Sequence, residues 1–274
     1  MKCEGFLTIP VSAVFLSMGF VYYITIFVFL EDWVGLQSSA GSLNSLIFSF
    51  LFFLCLFSFF SCVLIDPGRV PASYIPDVEE SGGSDKEPDK NVAQSRHCDK
   101  CSTYKPPRAH HCRVCRRCVL RMDHHCPWIN NCVGYWNYKA FFILVLYATI
   151  GSIYSTVIVI SCSCQKDFGG KVPLKTFYII CGAVMTGLSI TLGILLGWHI
   201  YLIIHNMTTI EYYEEVRATW LARKTGQSYR RLFDLGAYKN ITLVLGTNML
   251  KWLWPTSVSH LKDGLAFPIS RDNS

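Results

Sequence analysis

The apolar positions of this 274-residue chain are clumped rather than periodic. Four runs, 6–30, 43–65, 140–162 and 176–204, are each long enough to cross about 30 Å of hydrocarbon as a helix. The first is too long for a signal-peptide core and leads into Glu31-Asp32-Trp33 instead of a small-residue cleavage site, so it reads as a retained span. One such run could be a buried core helix. Four of them, separated by polar linkers, predict an all-α polytopic membrane protein with four transmembrane helices.

The polar remainder sets the orientation. Residues 31–42 carry no Lys or Arg and 163–175 carry only Lys166, Lys171 and Lys175, whereas 66–139 carry twelve and 206–274 carry nine. The basic side is the cytosol, and an even number of spans puts both termini there. Asp66-Pro67-Gly68 stops the second helix and turns the chain. Residues 71–94, rich in Pro, Gly, Ser and acidic side chains, read as a disordered linker.

Composition changes the picture between the second and third runs. Seven of the 13 cysteines lie between Cys98 and Cys132, in a stretch with too few apolar residues to build a core. Paired Cys-x-x-Cys units with nearby His are the spacing that wraps tetrahedral Zn²⁺. Two such sites use eight ligands, and the twelve Cys and His side chains from His97 to Cys132 leave four over. By spacing alone, Cys98, Cys101, Cys112 and Cys115 could form a four-cysteine site. A module in which every cysteine is structural also remains open.

Asp123-His124-His125-Cys126 within this cysteine-rich segment resembles the DHHC family of protein S-acyltransferases. The resemblance extends to Arg108, His111, Pro127-Trp128, Asn131-Cys132-Val133-Gly134 and Asn137, and through the flanking spans to nearly the whole chain. It implies two interleaved Cys₃His zinc sites: Cys98, Cys101, His111 and Cys118 in one, and Cys112, Cys115, His125 and Cys132 in the other. Cys126 is then the spare cysteine. A thiolate is the nucleophile whereas a free thiol titrates near 8.5, so a proton acceptor is needed. His124 is the candidate for it, with Asp123 holding the imidazole in its useful tautomer. Neighbours in sequence need not face one another, so a bridging structural role for His124 stays open.

Further positions follow from the same resemblance. Asp-Pro-Gly after the second span matches a family motif, and Thr208-Thr209-Ile210-Glu211 matches the family's Thr-Thr-x-Glu, with Thr209 expected near Asp123. By itself that sequence is a helix start with a Thr cap and an acidic first turn. Asn240 is expected to be buried and bonded to backbone, pinning the tail, and Trp252 and Trp254 suit a segment packed on the membrane surface. Trp128 either flanks the thioester or anchors its loop at the membrane boundary. The residue that limits acyl length in the family falls at Gly151, among Ala148, Ser152 and Ser155, which also suit close helix packing.

The expected division is 1–65 for helices 1 and 2, 66–97 for a cytosolic linker, 98–139 for the zinc domain, 140–205 for helices 3 and 4, and 206–274 for a cytosolic tail. Cytosolic placement makes metal ligation or catalysis the expectation for these cysteines instead of disulfides. Cys162, Cys164 and Cys181 near the opposite side could pair, and Cys3 is a candidate acylation site. Arg113, Arg116, Arg117 and Arg121 are expected mainly at a solvated or headgroup-facing surface. Withdrawing about fourteen methylenes of a palmitoyl tail into water costs on the order of 11 kcal/mol, which a membrane enzyme avoids by receiving the tail from the bilayer.

The expected partners are fatty acyl-CoA as donor, cytosol-facing cysteine-containing proteins as acceptors and the lipid bilayer; the resemblance points to Golgi or ER membranes, the Golgi first, with the plasma membrane as a further alternative. Nucleic acid is not expected, and the four runs lack the Asp, Glu, Lys and Arg of an ion pathway. A different class of function, a catalytically silent zinc-bearing membrane adaptor, has the intact His124-Cys126 pair against it. No module for recruiting a particular substrate is recognisable in the tail.

Overall fold

A computed structural model describes residues 8–76, 96–226 and 231–270. Cys3 and most of the 71–94 linker lie outside them. Four long apolar helices form the bundle: α1 (Ile9–Val34), α2 (Ser39–Leu64), α3 (Tyr138–Gln165) and α4 (Val172–Ile204). They are 26 to 33 residues long, so each spans more than the ~20 residues that the hydrocarbon requires. Multi-pass membrane insertion is what such helices support.

Each helix extends past its hydrophobic run at one end or both, because a helix stops where a residue can turn the chain and not where polarity changes. α1 passes straight through Glu31 and Asp32 and stops at Gly35, whose φ of +75° suits glycine. The next turn needs a second glycine: a Cβ on Gly41 would lie 1.9 Å from the Gly35 carbonyl oxygen. There Ser38 caps α2 by accepting from the Gly41 amide at 2.9 Å. Asp32, inside the helix, is satisfied by Lys166, by the Tyr178 hydroxyl at 2.6 Å and by the Cys162 thiol at 3.5 Å. Cys162, Cys164 and Cys181, near this end, are separate thiols.

α3 is the central helix, packed against α2, α4 and the π-helical part of α1, Ile24–Leu30. The widened π turn faces α3 at a buried hydroxyl pair, Thr25 and Ser155, 2.6 Å apart. Gly151, one turn above Ser155 on α3, has open space where a Cβ would stand.

The cysteine-rich segment adds what the helical reading did not foresee, three two-stranded antiparallel hairpins. They pair β1 (Arg96–Cys98) with β2 (Thr103–Lys105), β3 (His110–Cys112) with β4 (Arg117–Val119), and β5 (His124–Cys126) with β6 (Asn131–Val133). The last is fastened to the end of α2 by the Asn131 amide, which donates to the carbonyls of Cys62 and Ile65 at 3.0 and 2.9 Å. Asp66 accepts from the Gly68 amide at 2.9 Å and from Arg117 at 2.6 Å, giving Asp-Pro-Gly a concrete task in joining α2 to this segment.

The tail gathers at the same end of the bundle. It contains α5 (Thr209–Lys224) and α6 (Ala237–Leu245). α5 starts with a full capping box between Thr208 and Glu211. Asn240 is fully buried, donating to the Ile204 carbonyl at 2.7 Å and accepting from the Leu235 amide at 3.0 Å. Lys139, at the start of α3, is buried and gives its three protons to the carbonyls of Leu245, Lys251 and Ser257. Trp254 lies 5.4 Å from the Phe57 ring, and the Tyr147 hydroxyl donates to the Leu253 carbonyl, so this stretch runs alongside α2 and α3 below their ends.

Candidate active site

A β-strand sends successive side chains to opposite faces, and this alternation builds the site. On β3, His111 faces one way and Cys112 the other. On β5, His125 points away from the face shared by His124 and Cys126. Cross-strand pairing then sets His111 opposite Cys118 and His125 opposite Cys132. The result is two groups of four, Cys98 with Cys101, His111 and Cys118, and Cys112 with Cys115, His125 and Cys132.

Within each group the ligand atoms lie within 4.8 Å of one another. Tetrahedral Zn–S and Zn–N bonds imply an S···N edge of about 3.5 Å. His111 Nδ1 is 3.5, 3.2 and 3.9 Å from the sulfurs of Cys98, Cys101 and Cys118. His125 Nδ1 is 3.4 Å from Cys115 and 3.6 Å from Cys132. Donor type and spacing both fit Zn²⁺, and the four-cysteine set is not the one gathered.

The other face of β5 holds the unspent side chains. His124 Nδ1 is 2.7 Å from Asp123 Oδ2, and the Cys126 side chain lies close enough to the same imidazole to favour its charged form. Asp123 is fully buried and also accepts from Thr209, from its amide to Oδ1 and from its hydroxyl to Oδ2, both at 2.9 Å. The capping box fixes where α5 begins, and so delivers the Thr209 donors. Trp198 of α4 donates to the Thr209 hydroxyl at 3.4 Å.

Burial alone would raise the Asp123 carboxyl, but His124 and the Thr209 amide hold it below its ordinary value. Burial pulls His124 the other way, toward the neutral form. The Asp123 hydrogen bond and the Cys126 sulfur overcome it and lift the imidazole to about 9. An imidazolium therefore sits beside the spare cysteine at neutral pH, where it can stabilise negative charge developing on sulfur.

Two arginines expected at a solvated surface are instead buried. Arg117 pairs with Asp66, and Arg121 reaches Asn206 Oδ1 at 3.3 Å with its guanidinium 5.0 Å above the Tyr138 ring. Their burial is matched by partners from the turn after α2, the start of α3 and the tail, which the local sequence does not reveal. Arg113 and Arg116 are exposed. Arg108 makes a fork to Glu211 at 2.6 and 2.7 Å and reaches Asn206, locking the cysteine-rich segment onto α5. Trp128 stands on the turn after Cys126, 58% exposed. Cys126 itself is buried.

His199 and Tyr138, not singled out from sequence, also adjoin the site. Both are buried, 3.1 Å apart from Nδ1 to hydroxyl, and the His199 ring lies 6.2 Å from that of His124. A signal did exist: within the four apolar runs, His199 is the sole side chain among Asp, Glu, Lys, Arg and His.

Comparison with known proteins agrees with this geometry. Residues 91–216 match the family model described as DHHC palmitoyltransferase. The chain is similar to "Probable protein S-acyltransferase 15" of Arabidopsis thaliana, 67% identical over 93% of this chain and 100% of that protein. It is 48% identical to "Probable protein S-acyltransferase 16" of the same plant, over 99% of this chain and 96% of the relative. "Palmitoyltransferase PFA4" of Mycosarcoma maydis is 34% identical over 78% of this chain and 50% of the fungal protein.

Proposed function

The chain belongs to the DHHC family of protein S-acyltransferases, and on that premise we propose that Cys126 carries the acyl group from an acyl-CoA donor to a protein cysteine. Palmitoyl transfer to proteins is the activity, and the silent-adaptor alternative gives way to it. One observation supports the choice of cysteine. β5 turns His125 into a metal group while His124 and Cys126 share the opposite face, backed by Asp123.

With its thiol proton passed to His124, Cys126 attacks the acyl carbonyl of the donor as the thiolate, forming a new thioester as the bond to the CoA sulfur breaks. His124, protonated, gives its proton to the departing CoA thiolate. In the second step His124 takes the proton of the acceptor thiol, which attacks the Cys126 thioester and leaves Cys126 free. Asp123 orients the imidazole throughout, Thr209 orients Asp123, and Asn240 holds the tail that closes this end of the bundle. Cys98, Cys101, His111 and Cys118 would hold one Zn²⁺ and Cys112, Cys115, His125 and Cys132 a second, and the metal there would supply structure alone.

In this reading residues 1–65 and 140–205 house the acyl tail, 98–139 carry the chemistry and 206–274 brace it from the cytosol, joined by 66–97. Both termini are cytosolic, and the Golgi membrane is the proposed address. Imaging of a tagged chain against Golgi and ER markers decides that point. The open space at Gly151 leads us to expect long acyl chains. Gly151→Phe should shift the preferred donor from sixteen carbons toward fourteen or fewer in competition between acyl-CoAs; an unchanged profile would place the chain elsewhere.

The test of function is autoacylation of the purified protein with labelled palmitoyl-CoA. Wild type should gain hydroxylamine-labile label, and Cys126→Ser should gain none while keeping about two zincs, as the two ligand groups imply. The rate should also fall as pH rises through about 9, where His124 loses its proton. Equal labelling of both proteins, or a rate that keeps climbing above that pH, would contradict the assignment.

A further inference from the structure

A histidine inside a membrane helix is costly unless its nitrogens are bonded, and such residues usually mark function. His199 lies on α4 about one and a half turns before the helix ends at Ile204. The bland account is that Tyr138 satisfies it as an ordinary buried histidine. That account explains the 3.1 Å bond but not the company His199 keeps.

Its ring lies 5.1 Å from Phe141 at 69°, and Phe141 lies 5.2 Å from His124 at 74°. The His124 and His199 rings are themselves 6.2 Å apart, tilted by 41°. His124 is thus held from two directions. Asp123 grips Nδ1 in the ring plane, and the Phe141–His199 pair flanks the ring from the membrane side. The adjoining residue on α4, Trp198, donates to the Thr209 hydroxyl that in turn donates to Asp123. One turn of α4 therefore supports both members of the Asp123–His124 pair. Tyr138 is fixed in its turn beneath the Arg121 guanidinium.

We propose that His199, paired with Tyr138, is a positioning residue for His124, setting the tilt of that imidazole so that it stays directed at Cys126 when the acyl-CoA thioester arrives. Rotation about the Asp123–Nδ1 bond is the freedom that Asp123 alone leaves open. A side chain on one side removes it only if that side chain cannot itself turn, and the bond to the Tyr138 hydroxyl is what stops position 199 from turning. The inference rests on Cys126 and His124 as the reacting pair.

Three variants test it in single-turnover autoacylation with palmitoyl-CoA: His199→Leu, His199→Asn and Tyr138→Phe. Asparagine keeps an acceptor near the position of Nδ1, whereas leucine fills space without one. His199→Leu is expected to acylate about 10–100-fold more slowly at saturating donor. Its half-saturating donor concentration and zinc content should stay at wild-type values. His199→Asn should recover most of the rate. Tyr138→Phe should be slow as well, and the double variant His199→Leu/Tyr138→Phe should be no slower than the worse single one, because both changes release the same constraint.

A His199→Leu rate within about twofold of wild type overturns the inference, as does a loss that leucine and asparagine share equally. If His199→Leu loses its zinc, its rate reports folding, and Tyr138→Phe, which keeps its ring, decides: an unaltered rate there also overturns it. Wild type that takes no label refutes the Cys126 reading itself, whereas labelled wild type beside unaffected variants refutes only the role of His199.

Discussion

Replacing Asp123 with asparagine should slow acylation of Cys126 by about 10³–10⁴-fold at saturating acyl-CoA without loss of zinc. The carboxylate is fully buried and accepts three hydrogen bonds, two from Thr209 and one from His124. An amide fits the same space but has only one acceptor oxygen. Because the Thr209 amide must donate, that oxygen turns toward α5, and the amide nitrogen is left facing His124 Nδ1. Two donors then meet, which stabilises the tautomer carrying its proton on the wrong nitrogen. The imidazolium is also no longer supported against burial. Single-turnover labelling measures the loss; a drop under about tenfold would mean that Asp123 only packs.

The second large effect concerns metal. Cys132→Ala should purify with no more than about one zinc and no autoacylation, because Cys132 is both a member of the second ligand group and the cross-strand partner of His125. The three hairpins have strands of only three residues, too short to be stable by themselves. Structural zinc contributes about 10–16 kcal/mol in small metal-folded domains. Losing the site frees His125, and with it the strand that aims His124 and Cys126. Elemental analysis beside the labelling assay checks both halves. A Cys132→Ala protein that labels at the wild-type rate would show that the second group is not needed to hold β5.

The four spans were legible because hydrophobicity is a local property that any window of the sequence displays. Their ends were not: α1 runs four residues past its apolar run to Gly35, whose positive φ turns the chain at a point that polarity does not mark. Asp32 shows the cost of reading polarity alone: it lies within α1 because α3 and α4 supply partners more than 130 positions away. The interleaved ligand sets came from resemblance; the physical reason behind them is strand alternation. Strands three residues long and filled with Cys, His and Arg give no hydrophobic period to detect.

Other features depend on distant partners and so left no local trace. Arg117 and Arg121 look like surface charges until Asp66, Asn206 and Tyr138 are placed around them. Lys139 looks like the last polar residue before a span, yet its three acceptor carbonyls lie more than 100 positions away. His199 does leave a local trace, a single imidazole in an otherwise uncharged run, but its partners Tyr138 and Phe141 lie about 60 positions away. Asn240 and Thr209 were named from resemblance, and their bonds to backbone and to Asp123 are what burial demands of such groups.

On the proposed mechanism Cys126, one cysteine of thirteen, holds the acyl group in transit. A pulse and chase on the wild-type protein in detergent or lipid tests this. A short pulse of labelled palmitoyl-CoA is followed by excess unlabelled donor and a cysteine-containing acceptor, and the label is mapped by peptide mass spectrometry. The expected result is label on the peptide containing Cys126, transferred to the acceptor at least as fast as overall turnover. Label that stays on Cys126 during the chase, or that reaches the acceptor without passing through Cys126, would contradict the account.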